Sequence, residues 1–269
     1  MCYRSALTFG YFPSKIFVLQ IGSPYSQGLT YAKNQLYEST GLYGESTVRI
    51  LDPDTADVIK TIDMAPHLFG EGMAYLDETL IQITWKTRKG FIYNAADLEL
   101  LRSFTFATTR NEGWGITVDD CRHELIVTDG SDWLHFWDPK SLEQKRRVKV
   151  ARQSGNPARS LNEIEFWRGR VLANVWHEDV LLVINPSNGV VEKEYGKIFF
   201  IWEAVQTTPD QLCPHHGSIF HTDFSTLWPK HERDGVGADV FNGISVSADD
   251  DVLYVTGKKW NRMYKIRLL

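Results

Sequence analysis

Five copies of one short sequence pattern each begin with a residue type that can do chemistry or bind a ligand. Each copy reads polar or aromatic residue, Gly or Glu, apolar residue, polar residue or Ala, apolar residue. A carboxylate can accept and return protons, an amide can orient a polar substrate, and an indole can cover an apolar ring. The leading residues are Gln27, Glu71, Trp114, Asn162 and Asn242.

A second set of candidate residues follows the next apolar run of three copies. Trp85 and Trp176 end two of these runs, and Lys258 lies just after a third, within residues 257–260. The two sets together predict a concave pocket with one carboxylate, one or two ammonium groups, several amides and three or four indoles, the fourth being Trp260. An aromatic pocket with a few convergent polar groups is typical of a small-molecule site.

Each of these candidates also has a structural interpretation. Glu71 could form hydrogen bonds between neighbouring repeats, and Trp85 and Trp176 could belong to an apolar core. We expect a structural role for Asn242, which would satisfy backbone groups, and ligand contact for the other candidates. Gly stands on both sides of Trp114, and this predicts an indole with room around it and an exposed position.

The repeat predicts the elements that position these residues. Three further β-rich runs follow each of the first four motifs and two follow the fifth, and Asp-Pro or Asn-Pro turns separate some of them. Four strands per unit, with the first three motifs starting about 43 residues apart, are typical of propeller blades. We therefore predict an all-β, five-bladed β-propeller whose innermost strands line a channel, so that the leading residues converge at one mouth.

The two ends of the chain together predict how the ring closes. The fifth unit ends after its third strand, whereas residues 15–21 supply a β-rich run near the start of the sequence. We predict that this N-terminal strand completes the last blade, because closure of the ring removes open sheet edges. A β-sandwich with chance internal similarity is the alternative fold.

Length and composition predict a single domain over residues 1–269 and argue against several classes of partner. A net charge of −5 gives no basic surface for nucleic acid, and no apolar stretch approaches the roughly 20 residues that span a membrane. The three cysteines define neither a disulfide framework nor a zinc motif. We expect a monomer, and the compartment stays open because no clear signal peptide is recognisable.

One segment interrupts the repeat. The fourth and fifth motifs start 80 residues apart, and we assign the excess to an insertion around residues 196–222. The insertion contains Cys213, His215 and His216, which could bind a metal, but no second ligand pair stands at partner spacing. We expect instead a surface insertion, or sequence introduced by an imperfect gene prediction, and no metal in the site.

The chain resembles the plant- and bacterial-type glutaminyl cyclases, also called glutamine cyclotransferases, and not the zinc-dependent animal type. The resemblance covers nearly the whole chain in the order of the family's motifs. The matching stretches are residues 27–29, 36–44, 69–72, 84–86, 90–93, 112–115, 129–131, 161–165, 173–176, 239–244 and 255–260.

The resemblance implies a fold, a reaction and a class of substrate. The fold is a five-bladed propeller, which agrees with the repeat count. The reaction converts the N-terminal glutamine of peptides or proteins to pyroglutamate: the α-amine attacks the side-chain amide of the same residue, and ammonia leaves. No cofactor is required, although a structural ion in the channel would be compatible with this chemistry, and family members are mostly secreted, periplasmic or in the endomembrane system.

On the matching positions, the resemblance implies three residues that act on the reacting atoms. Glu71 would take a proton from the amine and return it to the departing ammonia, and burial among apolar walls would raise its pKa toward that task. Lys258 and Asn162 would stabilise the oxygen of the tetrahedral intermediate.

The remaining candidates would bind and orient the substrate. Trp114 and Trp176 would enclose the forming ring from both sides, with Trp85 as a further wall. Gln27 would orient the substrate amide or the α-amine. Since nucleophile and electrophile belong to one residue, holding the substrate in near-attack geometry is the main task of such a site.

Two functions from other classes also fit a five-bladed propeller. A propeller lactonase would use a divalent metal in the channel, for which Glu71 and Glu163 offer few acidic ligands. A non-catalytic interaction module would need no convergence of Glu, Lys and Trp, and it would tolerate their replacement. Loss of activity with a chelator would favour the lactonase, and full tolerance to substitution would favour the module.

Overall fold

The computed structural model describes residues 15–22, 24–196, 227–247 and 252–267. It confirms the predicted all-β, five-bladed propeller, since within these ranges 20 strands form five four-stranded sheets and one short helix accompanies them. Apart from residue 196, the predicted insertion lies outside the described residues, and so do Cys213, His215 and His216.

The chain builds the blades one after another around the channel. β1 (Lys15–Gln20) is the outermost strand of the fifth blade. Blade 1 contains β2 (Ser26–Ala32), β3 (Gln35–Thr40), β4 (Thr47–Leu51) and β5 (Val58–Asp63). Blade 2 contains β6 (Gly70–Leu76), β7 (Thr79–Thr84), β8 (Lys89–Asn94) and β9 (Leu100–Thr105). Blade 3 contains β10 (Ile116–Asp119), β11 (Glu124–Val127), β12 (Trp133–Trp137) and β13 (Gln144–Lys149). Blade 4 contains β14 (Leu161–Trp167), β15 (Arg170–Val175), β16 (Leu181–Ile184) and β17 (Val191–Tyr195). Helix α1 (Lys230–Gly235) precedes blade 5, which contains β18 (Phe241–Val246), β19 (Val252–Gly257) and β20 (Arg262–Arg267) together with β1.

The N-terminal strand closes the ring as predicted. β1 pairs antiparallel with β20, with Lys15 opposite Arg267 and Gln20 opposite Arg262. The innermost strands β2, β6, β10, β14 and β18 contact each other in that order, and β18 contacts β2 again. The outermost strand of blade 5 therefore comes from the other end of the chain, and it joins the two ends of the propeller.

Five apolar clusters hold neighbouring blades together. Each cluster takes side chains from two adjacent blades, so that Leu29 of blade 1 packs with Tyr254 of blade 5, and Met73 of blade 2 packs with Tyr37 of blade 1. The other three clusters join blades 2 and 3, blades 3 and 4, and blades 4 and 5. Burial between blades thus fixes the angle at which each inner strand faces the channel.

The glycines of the repeated motif let the inner strands approach closely around the channel. A Cβ atom on Gly28 would meet the backbone of Gly72 at 2.8 Å, and one on Gly72 would meet Gly115 at 2.7 Å. A Cβ atom on Gly115 would in turn meet the backbone oxygen of Asn162 at 2.4 Å. Because the fourth motif has Glu163 in place of Gly, one carboxylate side chain enters the channel at this level.

Candidate functional site

One mouth of the channel opens into a cavity of about 350 Å³. All seven residues that the sequence predicts for the site line this cavity: Gln27, Glu71, Trp85, Trp114, Asn162, Trp176 and Lys258. Six residues complete the lining: Tyr25, Phe69, Lys86, Arg110, Glu112 and Ser160. The five blades therefore bring to one place residues that are up to 233 positions apart in the sequence, from Tyr25 to Lys258.

Irregular pairing of the inner strands aims the polar side chains into this cavity. The register between β2 and β3 shifts at Gln27, between β6 and β7 at Glu71, and between β14 and β15 at Asn162. The same shift occurs in blade 5 at Asn242. Such bulges redirect side chains next to active sites in many β-proteins. The recurring position of the bulge explains why Gln27, Glu71 and Asn162 face the mouth.

Glu71 is a buried carboxylate with unused capacity to accept hydrogen bonds. Its side chain is 4% exposed, and among the described residues it accepts one hydrogen bond, from Nε2 of Gln27 to Oε1 at 3.2 Å. Burial raises the pKa of Glu71 well above its ordinary value, the positive charge of Lys258 opposes that rise, and Glu112 adds to it. A carboxyl group with a raised pKa can exchange protons near neutral pH.

Lys258 is the buried cation of the site. It follows β19, and its backbone N–H donates to the oxygen of Val240 at 2.9 Å. Burial lowers the pKa of its ammonium group, whereas the charges of Glu71, Asp239 and Glu163 act in the opposite direction. An ammonium group held in a dry cavity stabilises negative charge far better than one in water.

Tyr25 forms one wall beside this cation. The Nζ atom of Lys258 lies 5.3 Å from the centre of the Tyr25 ring, a cation–π geometry. Burial, together with the negative charges of Asp239 and Glu71, raises the pKa of Tyr25 to about 12. The phenol therefore stays protonated throughout the neutral range.

A network of amides supports the carboxylate. Nδ2 of Asn162 donates to Oδ1 of Asn242 at 2.7 Å, and Nδ2 of Asn242 donates to the backbone oxygen of Ser26 at 2.9 Å. The same Nδ2 lies 3.3 Å from Oε1 of Gln27, whose own amide nitrogen holds Glu71. Asn242 thus ties blades 4, 5 and 1 together, while Gln27 contacts Glu71 as well as the cavity.

The indole walls have a different arrangement from the one that the sequence predicts. Trp114 is only 9% exposed, because the glycines on either side accept close packing from other residues and do not open space. Trp176 is 40% exposed and meets Trp114 edge to face, with ring centres 5.6 Å apart and planes at 89°. Two rings in direct perpendicular contact form a corner, so a parallel sandwich of a ligand between them is not the geometry of this site.

Trp260 does not belong to the site. It is 1% exposed, packs against Trp228 and Phe241 between blades 4 and 5, and donates its Nε1–H to the oxygen of Asp239 at 2.9 Å. The sequence predicted three or four indoles, and three line the cavity. The turn after β19 directs Lys258 to the cavity and Trp260 to the core.

Sequence reasoning missed the partner that holds two of the indoles. Glu112 accepts hydrogen bonds from Nε1 of Trp85 and from Nε1 of Trp114, each at 2.9 Å. Phe69, two residues before Glu71, also packs against Trp85 with ring centres 5.3 Å apart. One feature of the sequence could have indicated Glu112, because it stands two residues before Trp114, within the matching stretch 112–115.

The channel contains two further buried carboxylates. Glu163 crosses to the inner strands of blades 1 and 5, where it accepts hydrogen bonds from the N–H groups of Leu29, at 2.5 Å, and Ile244. Glu165 accepts hydrogen bonds from Thr117 at 3.0 Å and from the N–H of Val246 at 3.2 Å. The count of acidic candidates made from the sequence omitted Glu165.

Comparison with known proteins identifies a family whose profile covers all the residues of this site. The profile of the glutamine cyclotransferase family matches residues 22–268. The chain belongs to the glutamine cyclotransferase family. The glutaminyl-peptide cyclotransferase of Arabidopsis thaliana is 34% identical over 245 residues, which is 91% of this chain and 67% of that protein. The family resemblance drawn from the motifs is thereby confirmed.

A solved structure agrees with the fold of this cyclotransferase-family chain. The crystal structure of Myxococcus xanthus glutaminyl cyclase superposes with a TM-score of 0.73 at 24% identity, over 93% of this chain and 94% of that chain. Within the described residues, no three His, Cys, Asp or Glu side chains form a group that could hold a metal ion. No helix in that part of the chain is long and apolar enough to cross a membrane.

Proposed function

We propose that this chain is a glutaminyl-peptide cyclotransferase that converts the N-terminal glutamine of peptides or proteins to pyroglutamate and releases ammonia. One observation carries the proposal: in a member of this family, a buried carboxylate with unused acceptor capacity lies beside a buried lysine in a cavity walled by indoles. A cavity of about 350 Å³ is of the size that holds a small ligand group.

Glu71 is the proton carrier in this proposal. Its carboxylate removes a proton from the α-amine as the amine nitrogen forms a bond to the side-chain carbonyl carbon. The same carboxyl group then gives that proton to the side-chain nitrogen, so that the carbon–nitrogen bond breaks and ammonia leaves. The unused acceptor positions of Glu71 support this assignment, because a carboxylate saturated by the protein has no lone pair free for a substrate.

Lys258 and Asn162 stabilise the oxygen that becomes negative in the tetrahedral intermediate. Lys258 supplies a positive charge in a water-poor cavity, where such an interaction is strongest. Nδ2 of Asn162 uses one hydrogen for Asn242, and its second hydrogen is available for the substrate oxygen. Burial confines Lys258 and a hydrogen bond to Asn242 orients Asn162 before the substrate arrives, so we expect little reorganisation during the reaction.

The indoles and Gln27 hold the substrate in a folded conformation. Trp85, Trp114 and Trp176 supply flat apolar surfaces against which the glutamine methylenes and the forming five-membered ring can pack. Gln27 keeps Glu71 in place and presents its remaining amide hydrogen to the substrate. We further expect the chain to act as a monomer, since every residue named for the site comes from one chain.

Ammonia release from a glutamine-initiated dipeptide tests this function. Wild-type protein should release ammonia and form pyroglutamate from the dipeptide, with an N-acetylated dipeptide as the unreactive control. Release should survive a chelator, because no step uses a metal, and it should be lost in Glu71→Gln. Activity that disappears with the chelator would favour a metal-dependent hydrolase, and a folded protein that releases no ammonia would favour a non-catalytic module.

A further inference from the structure

A single carboxylate oxygen joins two walls of the cavity. Oε2 of Glu112 accepts the Nε1–H of Trp85, which directly follows β7 of blade 2, and the Nε1–H of Trp114, which lies just before β10 of blade 3. Both distances are 2.9 Å. Hydrogen bonds to a charged acceptor are stronger than those between neutral groups, so this oxygen fixes both rings in rotation as well as in position.

Glu112 is itself held firmly in the segment between β9 and β10. The Thr108 hydroxyl donates to the backbone oxygen of Glu112 at 2.7 Å and accepts the Glu112 N–H at 3.2 Å. The next residue, Gly113, donates its N–H to the backbone oxygen of Trp85 at 3.0 Å. The carboxylate therefore has a fixed base from which to orient the indoles.

We propose that Glu112 is a positioning residue of the site, whose carboxylate fixes the indoles of Trp85 and Trp114 in the orientation that folds the substrate for cyclisation. The inference rests on the proposed function and deepens it. Cyclisation requires the amine to approach the amide carbon of the same residue, and small errors in orientation of the walls reduce the fraction of substrate in that conformation.

The charge of Glu112 has a second consequence at the reacting carboxyl group. It raises the pKa of Glu71, and the positive charge of Lys258 acts in the opposite direction. The charged or titratable groups that line the cavity are Tyr25, Glu71, Lys86, Arg110, Glu112 and Lys258, and Asp239 and Glu163 lie near Lys258. Neutralising Glu112 alone should therefore move the acid limb of the activity to lower pH.

Two substitutions separate the hydrogen bonds from the charge. In Glu112→Gln, the amide oxygen can still accept both indole hydrogens, but the negative charge is absent. In Glu112→Leu, both are absent, and exposed Glu99→Gln serves as the matched control for loss of a carboxylate. Should the Leu variant fail to fold, Glu112→Asp takes its place, because its shorter side chain keeps the charge and withdraws the oxygen from the rings.

Indole ¹⁵N–¹H resonances and steady-state kinetics provide the readouts. We expect the Leu or Asp variant to shift the Nε1–H resonances of Trp85 and Trp114 and to raise KM or lower kcat/KM by roughly 10- to 100-fold. The Gln variant should keep both resonances close to their wild-type positions and KM within about threefold, with the acid limb of kcat/KM at lower pH. The Glu99→Gln control should match wild type.

Two results would overturn the proposal. The first is a Leu or Asp variant with unshifted resonances or unchanged kinetics. The second is a Gln variant that is as impaired as the Leu or Asp variant, or a Gln variant in which the acid limb of kcat/KM stays at its wild-type pH. If the wild-type protein releases no ammonia from glutamine peptides, the proposed function fails, yet the resonances still decide whether Glu112 fixes the two rings.

Discussion

The two ends of the central channel resemble each other in size and in buried charge, yet they differ in what their carboxylates can do. The cavity at the Glu71 end measures about 350 Å³, and the cavity at the opposite end, lined by Glu165, measures about 380 Å³. Burial raises the pKa of both carboxyl groups, to about 8 for Glu165 and well above the ordinary value for Glu71. A raised pKa alone therefore does not distinguish a catalytic end from a structural one.

The hydrogen bonds of the two carboxylates make the distinction. Glu165 accepts hydrogen bonds from the hydroxyls of Thr117 and Ser245 and from the N–H of Val246, all supplied by the protein. Glu71 accepts one, from Gln27, among the described residues. The Glu165 carboxylate ties blades 3, 4 and 5 together, whereas Glu71 keeps acceptor positions that no described residue uses.

The surroundings of the two cavities differ in the same sense. The Glu71 end has a buried lysine and three indoles. The Glu165 end is lined by hydroxyls, aliphatic groups, two more carboxylates and three aromatic rings, which are Asp77, Asp120, Tyr31, Tyr75 and Phe166. The comparison shows that unsatisfied acceptor capacity next to a cation is the feature that separates Glu71 from Glu165, and our proposal that Glu71 is the reactive carboxyl group rests on it. Burial and a shifted pKa are shared by both ends.

The largest expected effect comes from removing the carboxylate at one end and leaving the other intact. Glu71→Gln should lower kcat for ammonia release about 100- to 10,000-fold, because the proton carrier is gone. Glu165→Gln, the matched substitution at the opposite end, should leave kcat within about threefold, below the range of acid–base effects. Equal losses in the two variants would break the comparison.

Removing the cation of the Glu71 end should have the next largest effect. Lys258→Met should lower kcat about 100- to 1,000-fold, because the oxygen of the intermediate loses its charged partner. The pKa of Glu71 should rise further, since Lys258 now opposes that rise, and the acid limb of the activity should move to higher pH. Lys258→Arg is the control, and a kcat unaffected by the Met substitution would remove Lys258 from the mechanism.

A smaller effect is expected at the exposed wall of the cavity. Trp176→Ala should raise KM about tenfold and change kcat less, because the half-exposed indole contributes apolar contact and no charge. Trp133→Ala, an indole of blade 3 that does not line the cavity, serves as the control. A tenfold loss in kcat with an unchanged KM would show that the ring acts in the transition state instead.

The smallest expected effect concerns stability at the Glu165 end. The pKa of Glu165 is about 8 in the folded protein, whereas an unfolded Glu has a pKa of roughly 4.3. At a pH between these two pKa values, Glu165 therefore keeps its proton only in the folded state. The free energy of unfolding should therefore fall as pH rises from about 4 to 8. Glu165→Gln should reduce this fall by at least about 1 kcal/mol in urea unfolding, and an equally steep fall would contradict the assignment.

The sequence predicted the architecture because its periodicity is strong. Motifs repeated at blade length, and a β-rich run left over at the start of the chain, sufficed to place β1 beside β20 and to bring the seven site residues to one mouth. The bulges were not predicted. A regular strand sends consecutive side chains to opposite faces. In β14, however, Asn162 lines the cavity and the next residue, Glu163, crosses the channel, so both side chains lie toward the centre. The irregular register of β14 at these two residues explains this arrangement.

The details that the sequence did not predict depend on contacts between blades. Trp114 was expected to be exposed, but Phe106 and the backbone of blade 4 occupy the space beside its neighbouring glycines. The role of Glu112 depends on a second indole 27 positions away, which no local pattern connects to it. Such relationships arise from the closure of the ring, and they become visible only in three dimensions.

The central claim is that Glu71 itself exchanges the proton of the reaction. The most direct test is the titration of its carboxyl group by infrared difference spectroscopy, with Glu71→Gln as the reference, beside the pH profile of kcat/KM. We predict that the infrared band of the protonated Glu71 carboxyl group disappears at a pH above the ordinary pKa range of carboxyl groups. Activity should rise over the same pH interval. Activity that rises while Glu71 remains protonated, or a band that titrates near the ordinary value for Glu, would contradict the account.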